Sequence, residues 1–65
     1  MGKTKNLIDE LIKKRANGDP FLESSTRIKL IMKGIDPKKI DDNTHDNPET
    51  IEKIYEVAKA LNVSL

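Results

Sequence analysis

Three times in 65 residues an Asp or Asn stands directly before a proline: Asp19-Pro20, Asp36-Pro37 and Asn47-Pro48. Proline has no backbone N–H to leave unpaired, and its φ is already set near the helical value, so it fits the first position of a helix. The Asx side chain before it supplies an oxygen that accepts a hydrogen bond from the free N–H groups of the first turn. Each pair therefore reads as a helix start. The matching stops are Asn17-Gly18, Gly34 and Asn62, residues that tolerate the left-handed conformation at a helix C-terminus. So punctuated, the chain divides into short helical segments.

Hydrophobic spacing fills in those segments. Leu7, Ile8, Leu11 and Ile12 recur on one helical face and predict a first helix at about 5–16, with Thr4 or Asn6 as its cap. Asp9 and Glu10 sit toward its positive end and Lys13, Lys14 and Arg15 at its negative end, as the helix dipole favours. A second helix starts either at Asp19-Pro20 or after Ser24, Ser25 and Thr26, and runs to Gly34. Its Ile28, Leu30, Ile31 and Met32 are too continuous for one clean face and read as the central, most buried helix. A strand competes for this run, but no partner strand exists for it.

Ile35 is an apolar anchor beyond the Gly34 stop, and Asp36-Pro37 opens a short turn bearing Lys38, Lys39 and Ile40. Residues 41–47 form a wholly polar loop. Ile51, Ile54, Tyr55, Ala58 and Leu61 then mark a last helix at about 48–61, with Asn62 as left-handed cap and Val63 folding back. The expected fold class is all-α: a single domain over residues 1–65, a small bundle of three helices plus a short fourth helical turn. Residues 1–4 and 64–65 are expected to fray. The expected core is Leu7, Leu11, Ile28, Ile31, Ile35, Ile54, Ala58 and Leu61.

A domain of this size buries only about 60% of the surface its unfolded chain exposes. A small-molecule pocket of about 300 Å³ or more would be hard to carve from it. That argues against an enzyme, a cofactor and a small-molecule substrate. The chain has no cysteine, which excludes disulfides, thiolate nucleophiles and Cys-ligated zinc, and favours a cytoplasmic setting. No apolar stretch is long enough for a membrane span, and no membrane partner is expected.

Catalytic and metal-binding candidates are few. His45 lies among Asp42, Asn43, Thr44 and Asp46 with no Ser or Cys nucleophile beside it, so a solvated loop histidine is the simpler account. Asp41, Asn43, His45, Glu49 and Glu52 brush against calcium-loop spacing. Asp46 stands where the sharp turn needs glycine, however, and Pro48 interrupts the segment that should supply backbone ligands. Gly2, Gly18 and Gly34 are isolated and form no phosphate-binding loop.

Net charge is +1 but is polarised. Residues 1–40 hold ten Lys and Arg against five acids, a balance of +5; residues 41–65 hold two against six, a balance of −4. Arg27, Lys29, Lys33, Lys38 and Lys39 are the candidate phosphate contacts if the partner is nucleic acid, and the lack of aromatic platforms favours duplex DNA over single strands.

At the end of the chain, Pro48-Glu49-Thr50-Ile51, Lys53-Ile54 and Val57-Ala58-Lys59-Ala60-Leu61-Asn62-Val63-Ser64-Leu65 resemble the closing helices of phage-repressor-type helix-turn-helix domains. The likeness covers about a quarter of the chain. It implies that these residues are scaffold and that DNA-facing positions lie between Ser24 and Lys39. The last helix is longer than the family's, and the glutamine-led second helix is missing. Two expectations follow: a helix-turn-helix-like DNA-binding regulator, or a protein-interaction module offering a charged helical face or the Asp41–Asp46 loop. Convergence of the five basic residues on one face would favour DNA; scatter would favour a protein partner.

Overall fold

A computed structural model describes residues 2–65. Three α-helices, α1 (Lys3–Ala16), α2 (Pro20–Met32) and α3 (Pro48–Ala60), are joined by a 3-10 turn (Pro37–Lys39) and polar connections, and there is no strand among the described residues. The all-α bundle of three helices and a short turn is the class expected. Its radius of gyration, 10.7 Å, matches the value of about 11 Å for a compact chain of this length.

All three Asx-Pro pairs act as caps. Asp19 Oδ1 accepts from the Phe21 N–H at 2.9 Å, Asp36 Oδ1 from Lys38 at 3.0 Å and Asn47 Oδ1 from Glu49 at 2.9 Å. The two possible starts of the second helix thus resolve to Asp19-Pro20. The stops also have defined hydrogen bonding. At the end of α2 the Gly34 N–H donates to the Ile31 carbonyl and the Ile35 N–H to Leu30; at the end of α3 the Asn62 N–H donates to Lys59 and Val63 to Ala58. Both are Schellman closures with the positive φ they require, 86° at Gly34 and 60° at Asn62. Each folds an apolar residue, Ile35 or Val63, back onto the core.

The core itself departs from expectation in one respect. Leu7, Leu11, Ile35, Ile54 and Ala58 are buried as expected, and Leu61 is partly buried against them. Ile28 and Ile31, counted as core, are exposed, as is Met32; from that run only Leu30 is buried. The central helix is α1, which buries Thr4, Leu7, Ile8, Leu11, Ile12 and Ala16. α2 buries only Thr26 and Leu30. At about 3.6 residues per turn, positions 26 and 30 share one narrow row, while 21, 28 and 32 fall on the far side.

Thr26 is completely buried, yet its hydroxyl has a partner in its own helix, the Leu22 carbonyl at 2.7 Å. α1 begins at Lys3 rather than near residue 5, so Thr4 is neither cap nor frayed end. The N-cap position belongs to Gly2, which has no side chain to offer, and Met1 lies outside the described residues.

The row Thr4, Leu7, Leu11 and Lys14 has i, i+3, i+7, i+10 spacing. At one end Thr4 bonds Asp46, just ahead of α3; at the other the Lys14 ammonium donates to the Ser64 carbonyl at 2.8 Å, just beyond it. α3 therefore runs in the same direction as α1 along this row. Ile8, Ile12 and Ala16 form the neighbouring row and line the side facing α2 and the 3-10 turn.

Truncation separates the two sides of α2. Leu30→Ala should cost about 2–5 kcal/mol, a large part of the roughly 3–10 kcal/mol available to a domain of this length. Met32→Ala, on the exposed side, should change stability by less than about 0.5 kcal/mol. Urea denaturation followed by circular dichroism checks both; equal losses would contradict the burial pattern.

Candidate functional site

The exposed side of α2 is an apolar ridge. Phe21 is 77% exposed, Met32 80%, Ile28 56% and Ile31 53%. Phe21, Ile28 and Met32 follow i, i+7, i+11 spacing and stand in line, with Ser24 and Ser25 between them and Ile31 at one edge. Leaving such a side chain in water forgoes about 1.5–3 kcal/mol of burial each. In a domain stable by only about 3–10 kcal/mol, four on one helix form a large unpartnered surface.

The ridge is bordered by shallow, open grooves. One is lined by Phe21, Ser24, Ser25, Ile28, Lys29 and Met32, the small serines forming a notch between the larger side chains. A second lies against α3, between Lys29, Met32 and Lys33 on one wall and Val57 and Ala60 on the other. A third lies toward the 3-10 turn and holds Arg27, Ile28, Ile31, Pro37 and Lys38.

The five basic residues anticipated as a DNA-contact set are all exposed, but they divide. Arg27 and Lys38 share the flank facing the 3-10 turn, and Arg27 is held by Glu23 of the preceding turn at 3.0 Å. Lys29 and Lys33 lie on the opposite flank, where Lys33 faces Glu56 of α3 at 3.8 Å. Lys39 is exposed in the 3-10 turn. Arg27 and Lys38 on one flank and Lys29 and Lys33 on the other thus border an apolar strip instead of converging. Sequence reasoning misses the strip because it counts Ile28 and Ile31 as core, reads Met32 as part of the most buried helix and gives Phe21 no face. The signal was present in Phe21, Ile28 and Met32, whose spacing is that of one helix face.

The polar loop has an internal framework. Asp41 Oδ1 accepts from the Asn43 N–H at 2.8 Å and lies 3.3 Å from the Thr44 hydroxyl, while Thr44 Oγ1 accepts from the Asp41 N–H at 2.8 Å. Among the described residues no three His, Asp or Glu side chains gather as a metal-binding group. His45 is exposed.

Asp46 has a different role. Its Oδ1 accepts both the Thr4 N–H at 2.9 Å and the Thr4 hydroxyl at 2.8 Å. A carboxylate 42 residues away in sequence thereby provides what Gly2 cannot, a cap for the second N–H of α1. The positive end of that helix also favours the negative charge. The Thr4 N–H, then the Thr4 hydroxyl, hold the Asp46 carboxyl below its ordinary pKa, against a smaller opposing effect of burial.

Comparison with protein-family models, with curated proteins and with solved structures finds no match to this chain.

Because Asp46 titrates lower in the folded chain than in the unfolded one, its contribution to stability is complete above the ordinary aspartate range, about pH 4. It is lost as pH falls through the depressed folded value. Asp46→Ala should lower the thermal midpoint at pH 7, and the gap from the parent chain should narrow below about pH 4. Thermal melts across pH 2.5–7 measure this; a gap that does not change with pH would exclude the carboxylate cap.

Proposed function

We propose that this chain is a non-enzymatic, cytoplasmic binding module that docks a helical segment of a protein partner along the outward face of α2. One observation carries the reading: four large apolar side chains stand exposed on a single helix of a domain with little stability to spare. Interfaces concentrate their binding energy in a few apolar anchors inside a polar rim, and Phe21, Ile28 and Met32 are such anchors with lysines at their edge. Met adds a flexible, polarizable surface suited to apolar partners. The Ser24–Ser25 notch suits a side chain from a neighbouring helix, as knobs fit holes between packed helices. The cytoplasmic setting rests on the absence of cysteine.

A DNA-binding regulator is the second reading, supported by five exposed basic residues and by the likeness of the last helix to repressor domains. Against it stands the ridge between the two cationic flanks. Docking this side on duplex DNA would press Phe21, Ile28 and Met32 against phosphates and base edges, with only the short Ser24 and Ser25 hydroxyls set between them to hydrogen-bond.

A photoreactive amino acid at position 21, introduced into the full chain in its native cell, should form one defined, saturable protein adduct. That adduct should disappear with Ile28→Asp and persist with Lys59→Ala. In parallel, random duplex DNA at 20 mM salt should show no mobility shift, the condition in which phosphate contacts would be strongest. A shift at low salt that Arg27→Ala and Lys38→Ala abolish, with no ridge-dependent adduct, would overturn the proposal in favour of DNA.

A further inference from the structure

We infer that the helix docked on α2 is acidic along the edge that faces α3: an amphipathic segment whose apolar stripe meets Phe21, Ile28 and Met32 and whose Asp or Glu side chains meet Lys29 and Lys33. The inference rests on the protein-docking reading above and specifies the partner's chemistry.

The rim carries the argument. Of its cations, Arg27 is paired with Glu23 and Lys33 lies near Glu56. On the flank toward the 3-10 turn, Asp36 lines the same groove as Arg27 and Lys38, so with Glu23 that side carries two acids against two cations. On the flank toward α3, Lys29 forms no ion pair among the described residues, and Glu56 alone faces Lys29 and Lys33. An incoming helix therefore meets uncompensated positive charge along the α3 side of its apolar contact. Acidic flanks gain from that field, whereas basic flanks pay like-charge repulsion.

A second copy of this chain fits poorly for the same reason. Two-fold pairing of α2 with α2 sets each ridge flank against a flank of the other copy, and both carry cations. Parallel pairing opposes Lys29 and Lys33 to Arg27 and Lys38; antiparallel pairing opposes each flank to itself. Glu23 is the single acid α2 contributes to a flank, and Arg27 already holds it. An anionic membrane surface would satisfy the cations and the apolar strip. It offers no fixed side chain to the Ser24–Ser25 notch, however, whereas a partner helix would.

The test uses three stapled helical peptides of about 18 residues, long enough to hold a helix. All share a leucine stripe at i, i+3, i+7 and i+10, and their flanking positions are glutamate, glutamine or lysine. Each is titrated into the full isotope-labelled chain and followed by amide chemical shifts. The glutamate peptide should perturb residues 21–33 and bind about tenfold tighter than the glutamine peptide at low salt. That margin should shrink toward 1 M salt, where charges are screened beyond about 3 Å. The lysine peptide should be the weakest, and the Lys29→Glu/Lys33→Glu chain should reverse the order.

Equal binding of acidic and basic peptides overturns the inference. So does concentration-dependent dimerisation through Ile28, or binding to phosphatidylserine vesicles in preference to the glutamate peptide. If no peptide binds while the position-21 adduct still forms, the acidic-helix assignment fails and protein docking stands. Loss of both removes the parent reading as well.

Discussion

The seating of α2 on α1 through the narrow row of Thr26 and Leu30 is the constraint on which the rest of the structure depends. α1 is the only helix buried broadly enough to serve two neighbours, with Ile8, Ile12 and Ala16 toward α2 and the 4-7-11-14 row toward α3. A helix meeting α1 by so thin a row must leave much of its circumference outside. On α3 that outer side is mostly polar, carrying Glu49, Glu52, Glu56 and Lys59 with Tyr55 as its one exposed aromatic ring. On α2 it is Phe21, Ile28, Ile31 and Met32. Because Thr26 satisfies its hydroxyl within its own helix, the seam needs no polar partner from α1 and can pack closely despite a buried oxygen.

Local chemistry made the helix boundaries legible and left the packing partly hidden. Asp19, Asp36 and Asn47 cap as their positions before proline require, and Gly34 and Asn62 adopt the left-handed stops that place Ile35 and Val63. These are short-range effects, settled within five residues of chain. The misassigned core came from α2, where Ile28, Leu30, Ile31 and Met32 fall on two faces at once. A helix apolar on two sides gives the same dense pattern as a buried helix, and only the limited capacity of α1 tells them apart. That capacity depends on residues far away in sequence. The Thr4–Asp46 bond was illegible for the same reason: nothing local to either residue indicates the other.

Of the candidate site, the five basic residues are exposed, but their relation to one another required the fold. Arg27 and Lys29 are separated by about 200° around a helix, so neighbours in sequence become opposite flanks. The same arithmetic applied to Phe21, Ile28 and Met32 collects them into one line. Spacing alone identified a face; which face looked outward was decided by Leu30 and Thr26.

The charge asymmetry of the chain takes on a physical meaning in this arrangement. The acidic part, residues 41–65, supplies Asp46 to the start of α1 and Glu56 to the flank of α2, so some of its charge holds the bundle together. Those contacts leave Lys29 without an ion pair among the described residues, so the flank of α2 toward α3 keeps an excess of positive charge. On the proposed reading, an apolar strip with cations along its edge would discriminate in two stages. The strip rewards any amphipathic helix through burial, and the rim then rejects those with basic edges. For a domain with a core this small, a convex ridge with a charged border would provide specificity on the proposed reading without drawing side chains out of that core.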